Sequence, residues 1–109
     1  MFNEKMVLCG ASAYEKKYYL NEQFYNLPEQ IKQELQIMCV LFTEDVGGIF
    51  LLEFQEDGSL RLITEADEGD ILYDDIGSGL KIRQIQLEKA ELLESLEMYY
   101  KVFVLGEDA

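Results

Sequence analysis

Two apolar-rich runs flank Glu56-Asp57-Gly58 across residues 49–65. That pattern predicts a β-hairpin whose turn needs a positive φ at Gly58, a conformation glycine adopts without steric cost. Pairing Gln55 with Ser59 sets Phe54 opposite Leu60, Leu52 opposite Leu62 and Phe50 opposite Thr64. The same register sets Glu53 opposite Arg61 and Leu51 opposite Ile63. One face is then apolar and the other mixed. A cross-strand pair of opposite charges contributes a few tenths of a kcal/mol up to ~1 kcal/mol, which favours this register.

Two other stretches repeat at helical spacing. Leu27, Ile31, Leu35, Met38, Cys39 and Phe42 predict a helix over about 27–43. Asn26 is placed to cap it, with Glu29 as capping-box partner and Pro28 in the first turn. Gly47-Gly48 ends it. Ile85, Leu92, Leu96, Tyr99 and Phe103 predict a long C-terminal helix over about 72–101, with Lys89 in the place between Ile85 and Leu92. Asp70 is its expected cap, and Gly77-Ser78-Gly79 weakens or bends it. Glu88, Glu91, Glu94 and Glu97 take the opposite side, with Glu97 four residues before Lys101. Residues 3–9 and the Tyr-rich 14–20 read as short strands. The expected fold is α+β: a small antiparallel sheet centred on the hairpin, packed against both helices.

A continuous helix over residues 76–105 would be about 45 Å long. A domain of this size has a radius of gyration near ~13 Å, so such a rod exceeds its diameter. Either the helix breaks, at Gly77-Ser78-Gly79 or from Val102 onward, or it projects and pairs with a second copy. In the second case Ile85, Leu92, Leu96, Tyr99 and Phe103 form the dimer seam. A homodimer is the expectation.

Composition narrows the chemistry. The chain has 109 residues and thirteen aromatics (7 Tyr and 6 Phe), enough for one domain, 1–109, with its own core. It has no histidine, which removes Ser-His and Cys-His pairs and imidazole metal ligands. No catalytic residue is assigned. Cys9 and Cys39 each sit among apolar residues and read as buried free thiols, with a disulfide as the alternative. No apolar region precedes Cys9 to make a signal peptide, and no apolar run reaches the ~20 residues of a membrane span. A cytoplasmic location is expected.

The net charge of −13 has a location: residues 46–75 hold nine carboxylates and one base, Arg61. Nucleic acid and anionic membranes are poor partners for such a chain. Glu65, Asp67, Glu68, Asp70, Asp74 and Asp75 form the candidate interaction patch, fitted to a basic protein partner. The same carboxylates lack the spacing of a calcium loop, so no metal is assigned. Gly77-Ser78-Gly79 before Lys81 matches neither phosphate-binding fingerprint, so no cofactor is assigned.

Three segments carry a resemblance: VLCGASAYEKKYYLN at 7–21, LQIMCVLFTEDVGGI at 35–49 and ADEGD at 66–70. The chain resembles a family of small proteins from anaerobic Gram-positive bacteria, a domain of unknown function. The resemblance implies a bacterial cytosolic protein and brings no activity, cofactor or site residue with it. The expected function is a non-enzymatic, acidic interaction or regulatory domain acting by surface recognition. The alternatives are an acidic dimeric chaperone for a client peptide, and a small-molecule- or metal-dependent enzyme that uses carboxylates in an enclosed pocket.

Overall fold

The computed structural model describes residues 6–107. Two strands, β1 (Met6–Ser12) and β2 (Lys17–Leu20), precede a short 3-10 turn at Glu22–Phe24 and helix α1 (Glu29–Val46). The hairpin β3 (Ile49–Phe54) and β4 (Leu60–Glu65) follows, then helices α2 (Asp75–Glu88) and α3 (Ala90–Phe103). The sheet runs β2-β1-β3-β4 with every neighbour antiparallel. This is the expected α+β architecture. Of the first expected strand, residues 3–5 lie outside the described residues. The second starts at Lys17, because residues 13–16 form the turn that reverses the chain.

The hairpin adopts the expected register at every pair from Phe54–Leu60 to Phe50–Thr64, Glu53–Arg61 included. Gly58 has φ 89°, and its N–H donates to the Gln55 carbonyl at 2.9 Å. Phe50, Leu52 and Phe54 point to the helices and are fully buried. Phe42 of α1 stacks on Phe50 at 4.0 Å between ring centroids. Tyr100 of α3 stacks on Phe54 at 4.1 Å, and Phe24 closes this second cluster 5.6 Å from Phe54. Each such pair adds about 0.5–1.5 kcal/mol beyond the area it buries. The two clusters dock α1 and α3 side by side on one sheet face.

A β-bulge between Val7 and Cys9 lets Leu8 and Cys9 both be buried. Cys9 and Cys39 are free thiols with their sulfurs 3.8 Å apart. The contact with Cys9, together with burial, pushes the Cys39 thiol pKa up. The thiol therefore stays protonated. The Tyr18 hydroxyl lies beside them and has no hydrogen-bond partner among the described residues. Burial pushes its pKa up as well.

Three local expectations are corrected. Asn26 does not cap α1, which begins after Pro28 without a side-chain cap. Asn21 caps a different element, the 3-10 turn at Glu22–Phe24: its side chain accepts from Gln23 N–H at 3.0 Å and donates to the Val7 carbonyl at 2.8 Å. Asp70 does not cap α2; Asp74 does, accepting from Gly77 N–H at 2.8 Å. Glu97 does not serve Lys101. Its carboxylate accepts from Leu60 N–H at 2.7 Å and so binds α3 to the edge strand.

The C-terminal helical stretch is divided, and the division falls at neither expected place. Gly77-Ser78-Gly79 lie inside α2, and Val102 lies inside α3. The break is at Lys89, with φ −110° and ψ 23°. Neither glycine nor proline is there, so tertiary packing sets the angle. Lys89 also reaches Glu34 of α1 at 3.2 Å, and Lys81 pairs with Asp45 of the same helix. α2 is thereby held against α1 while α3 crosses to the hairpin. The radius of gyration is 14.1 Å.

Candidate functional site

Residues 65–75 connect β4 to α2, and three anchors from distant parts of the chain fix their path. The Tyr14 hydroxyl donates to the Asp70 carboxylate at 2.5 Å and accepts from Asp67 N–H at 2.9 Å. Asp74 N–H donates to the Val46 carbonyl at 3.1 Å, tying the segment to the end of α1. The Tyr73 ring lies on Gly48, where a Cβ would approach its Cε1 to 2.7 Å. Gly48 has φ 70°, so only glycine fits there on both counts. The Tyr73 hydroxyl then donates to buried Ser78 at 2.9 Å.

Asp70 does two jobs within this frame. One carboxylate oxygen receives Tyr14, and the other accepts from Leu72 N–H at 3.0 Å. The Tyr14 hydrogen bond, then those from backbone N–H groups, hold the Asp70 carboxyl below the usual carboxylate range. The same bond pushes the Tyr14 hydroxyl pKa above its ordinary value. Glu65, Asp67, Glu68, Asp74 and Asp75 are exposed and Asp70 is half-buried; Glu65 closes β4, Asp75 opens α2, and the other four lie between them. In the middle of the segment Ile71 and Leu72 are 92% and 88% exposed.

The seam residues separate. Ile85, Leu92 and Leu96 are buried in the chain's own core. Tyr99 packs at the core edge with its ring 5.0 Å from Phe103, which is exposed. They do not form one outward row, because Ile85, Leu92 and Leu96 all face the same core. The outward row is on α2: Ile76, Leu80 and Leu87 are 79%, 66% and 76% exposed. Sequence reasoning passed over these three. Their spacing of four and seven was visible, but the stronger series through Ile85 and Leu92 took the periodicity.

A cleft of about 530 Å³ lies between the β1–β2 end of the sheet and α1. Ser12, Lys16, Lys17, Tyr18, Gln36 and Glu44 are among its lining residues. Glu44 is its one carboxylate, so the acidic segment and this cleft are separate places. Among the described residues no group of three or more Cys, Asp and Glu side chains is placed to hold a metal ion. Among those residues no helix is long and apolar enough to cross a membrane.

These features define a small α+β domain with α1 and α3 on one sheet face, α2 packed against those helices, and a clamped acidic connection. The chain belongs to a family of unknown function (DUF6145), whose model matches residues 5–108. No curated protein and no solved structure matches it.

Proposed function

We propose that the protein is a non-enzymatic interaction domain that recognises a basic protein partner through residues 65–75. The supporting observation is the exposure of Ile71 and Leu72 between flanking carboxylates, on a segment whose path is fixed by Tyr14, Tyr73 and Asp74. An exposed aliphatic pair is an anchor for a partner's apolar pocket or side chain. The carboxylates around it select a basic surface and speed encounter with it. Because the frame is already held, little ordering entropy is lost on binding.

Peptide display selected against the whole protein tests this. Enriched peptides should carry Lys or Arg around an aliphatic or aromatic residue, with affinity that falls as salt rises. Ile71→Ser with Leu72→Ser should weaken them by about tenfold or more, as loss of a central anchor does. Asp67→Lys with Glu68→Lys should weaken them and flatten the salt dependence. Peptides that bind both double variants as well as the parent would show that this segment is not the recognition surface.

A further inference from the structure

We propose that the outward face of α2 is a homodimer interface, closed by a second copy of this chain lying antiparallel across Gly79. This goes beyond the acidic segment: it concerns another surface and another occupant.

α2 is apolar on two opposite sides. Ser78 and Ile85 face the core, and Ile82 packs against it. At 100° per residue, Ile76, Leu80 and Leu87 fall on the reverse side with Arg83 among them. Steps of four, three and four are those of a helix–helix seam, with Arg83 in one seam position. A row of aliphatic side chains two-thirds or more exposed is more than scattered surface hydrophobes require.

The charge on α2 says which occupant fits. α1 carries Glu29, Glu34, Glu44 and Asp45 against Lys32 alone. α3 carries Glu91, Glu94 and Glu97 against Lys101. α2 is the exception: Asp75 and Glu88 are matched in number by Lys81 and Arg83, and with Lys81 turned to Asp45 of α1, Arg83 is the base that faces outward. Two copies of a chain at −13 repel over most of their surfaces, and α2 is the helix where they meet without that penalty. Its order of charge also suits an antiparallel pair. A two-fold axis near Gly79 and Leu80 sets Arg83 of each copy beside Ile76 and Asp75 of the other. The Arg83 stem then covers an apolar neighbour while its guanidinium meets a carboxylate.

Gly79 is the independent observation. A methyl at Gly77 would strike the Asp74 capping carboxylate, so that glycine has a local reason. A methyl at Gly79 would meet nothing within 4 Å. Its φ is not in the left-handed range, and glycine is a poorer helix former than alanine. Nothing inside the chain asks for it. A glycine at the crossing point lets a second backbone approach closely.

Sedimentation velocity and light scattering from about 1 to about 100 µM chain, in about 0.15 M salt, read this directly. The expected mass is twice 12.6 kDa. Leu80→Glu, and separately Gly79→Leu, should each weaken the dimer by about 100-fold or more. Circular dichroism should show that both variants keep the parent's secondary structure, since each change is on the outward face. A wild-type monomer at the highest concentration overturns the proposal, and so does a dimer that persists in either folded variant. Peptide binding by residues 65–75 is scored separately on the same samples, so either idea can fail without the other.

Discussion

α2 and α3 have 14 residues each, follow one another directly, and are buried in different ways. α3 commits one face: Leu92, Leu96 and Tyr100 go into the core, and glutamates take much of the rest. α2 sends Ser78 and Ile85 inward and holds Ile76, Leu80 and Leu87 in water. Its apolar residues lie on both sides, so they cancel in any measure of one-sidedness. A helix that packs on its own domain needs one apolar face. A second apolar face on the same helix is surface for something else.

The largest test of that contrast is a pair of alanine substitutions, measured by urea unfolding at protein concentrations low enough to keep the chain monomeric. Leu96→Ala opens a cavity beneath α3 and should cost about 2–5 kcal/mol. Leu80→Ala should change stability by no more than about 0.5 kcal/mol. Equal losses would mean that Leu80 is covered within the monomer, and the comparison would fail.

Glu97 sharpens it further, because it is the polar contact that fastens α3 to the sheet. Its carboxylate satisfies Leu60 N–H on the edge strand β4. Hydrogen bonds to charged groups contribute more than neutral ones, so Glu97→Ala should cost about 1.5–3 kcal/mol by chemical denaturation. Arg83→Ala, on the outer face of α2, should stay within about 0.5 kcal/mol in the monomer. Amide exchange gives a local readout: the Leu60 amide should lose protection in Glu97→Ala and keep it in Arg83→Ala.

The division between legible and illegible features follows sequence separation. The hairpin register could be read because Gly58 fixes the turn and each pair of partners lies within a few residues of it. The helix over 29–46 could be read because Leu35, Met38, Cys39 and Phe42 bury one stripe. The break at Lys89 could not, because neither glycine nor proline marks it and its cause is the packing of α2 on α1 and of α3 on the hairpin. The clamp on the acidic segment was equally hidden. Tyr14 reaches Asp70 across 56 positions, and no local pattern joins them. The carboxylates themselves were plain in the sequence; what holds them in place was not.

The two glycines of α2 give a smaller effect with opposite signs. Gly79→Ala adds a helix-favouring residue in open space and should stabilise the monomer by about 0.5–1 kcal/mol. Gly77→Ala gains the same propensity but displaces the Asp74 carboxylate from its capping position, a loss of about 1 kcal/mol, so it should be neutral or destabilising. Thermal melts of the two variants side by side decide it. If both stabilise equally, the Asp74 cap does not define the start of α2.

The finest effect is electrostatic and concerns the approach to α2, since the Tyr14–Asp70 bond orders the loop that leads into it. Asp70 has its folded pKa lowered by the Tyr14 hydrogen bond, so its contribution is present above the ordinary carboxylate pKa of ~3.9 and fades as pH falls through the folded value. Tyr14 has its folded pKa raised by the same bond, so its contribution is present below the ordinary tyrosine pKa of ~10 and fades as pH rises through the folded value. The stability difference between wild type and Tyr14→Phe should therefore be level from about pH 5 to about pH 9 and shrink outside that window. In the variant the Asp70 carboxyl should titrate closer to its ordinary value by NMR, while residues of α3 keep their shifts. An Asp70 titration that does not move would mean that the backbone N–H groups alone hold the carboxylate, leaving Tyr14 to act only through Asp67.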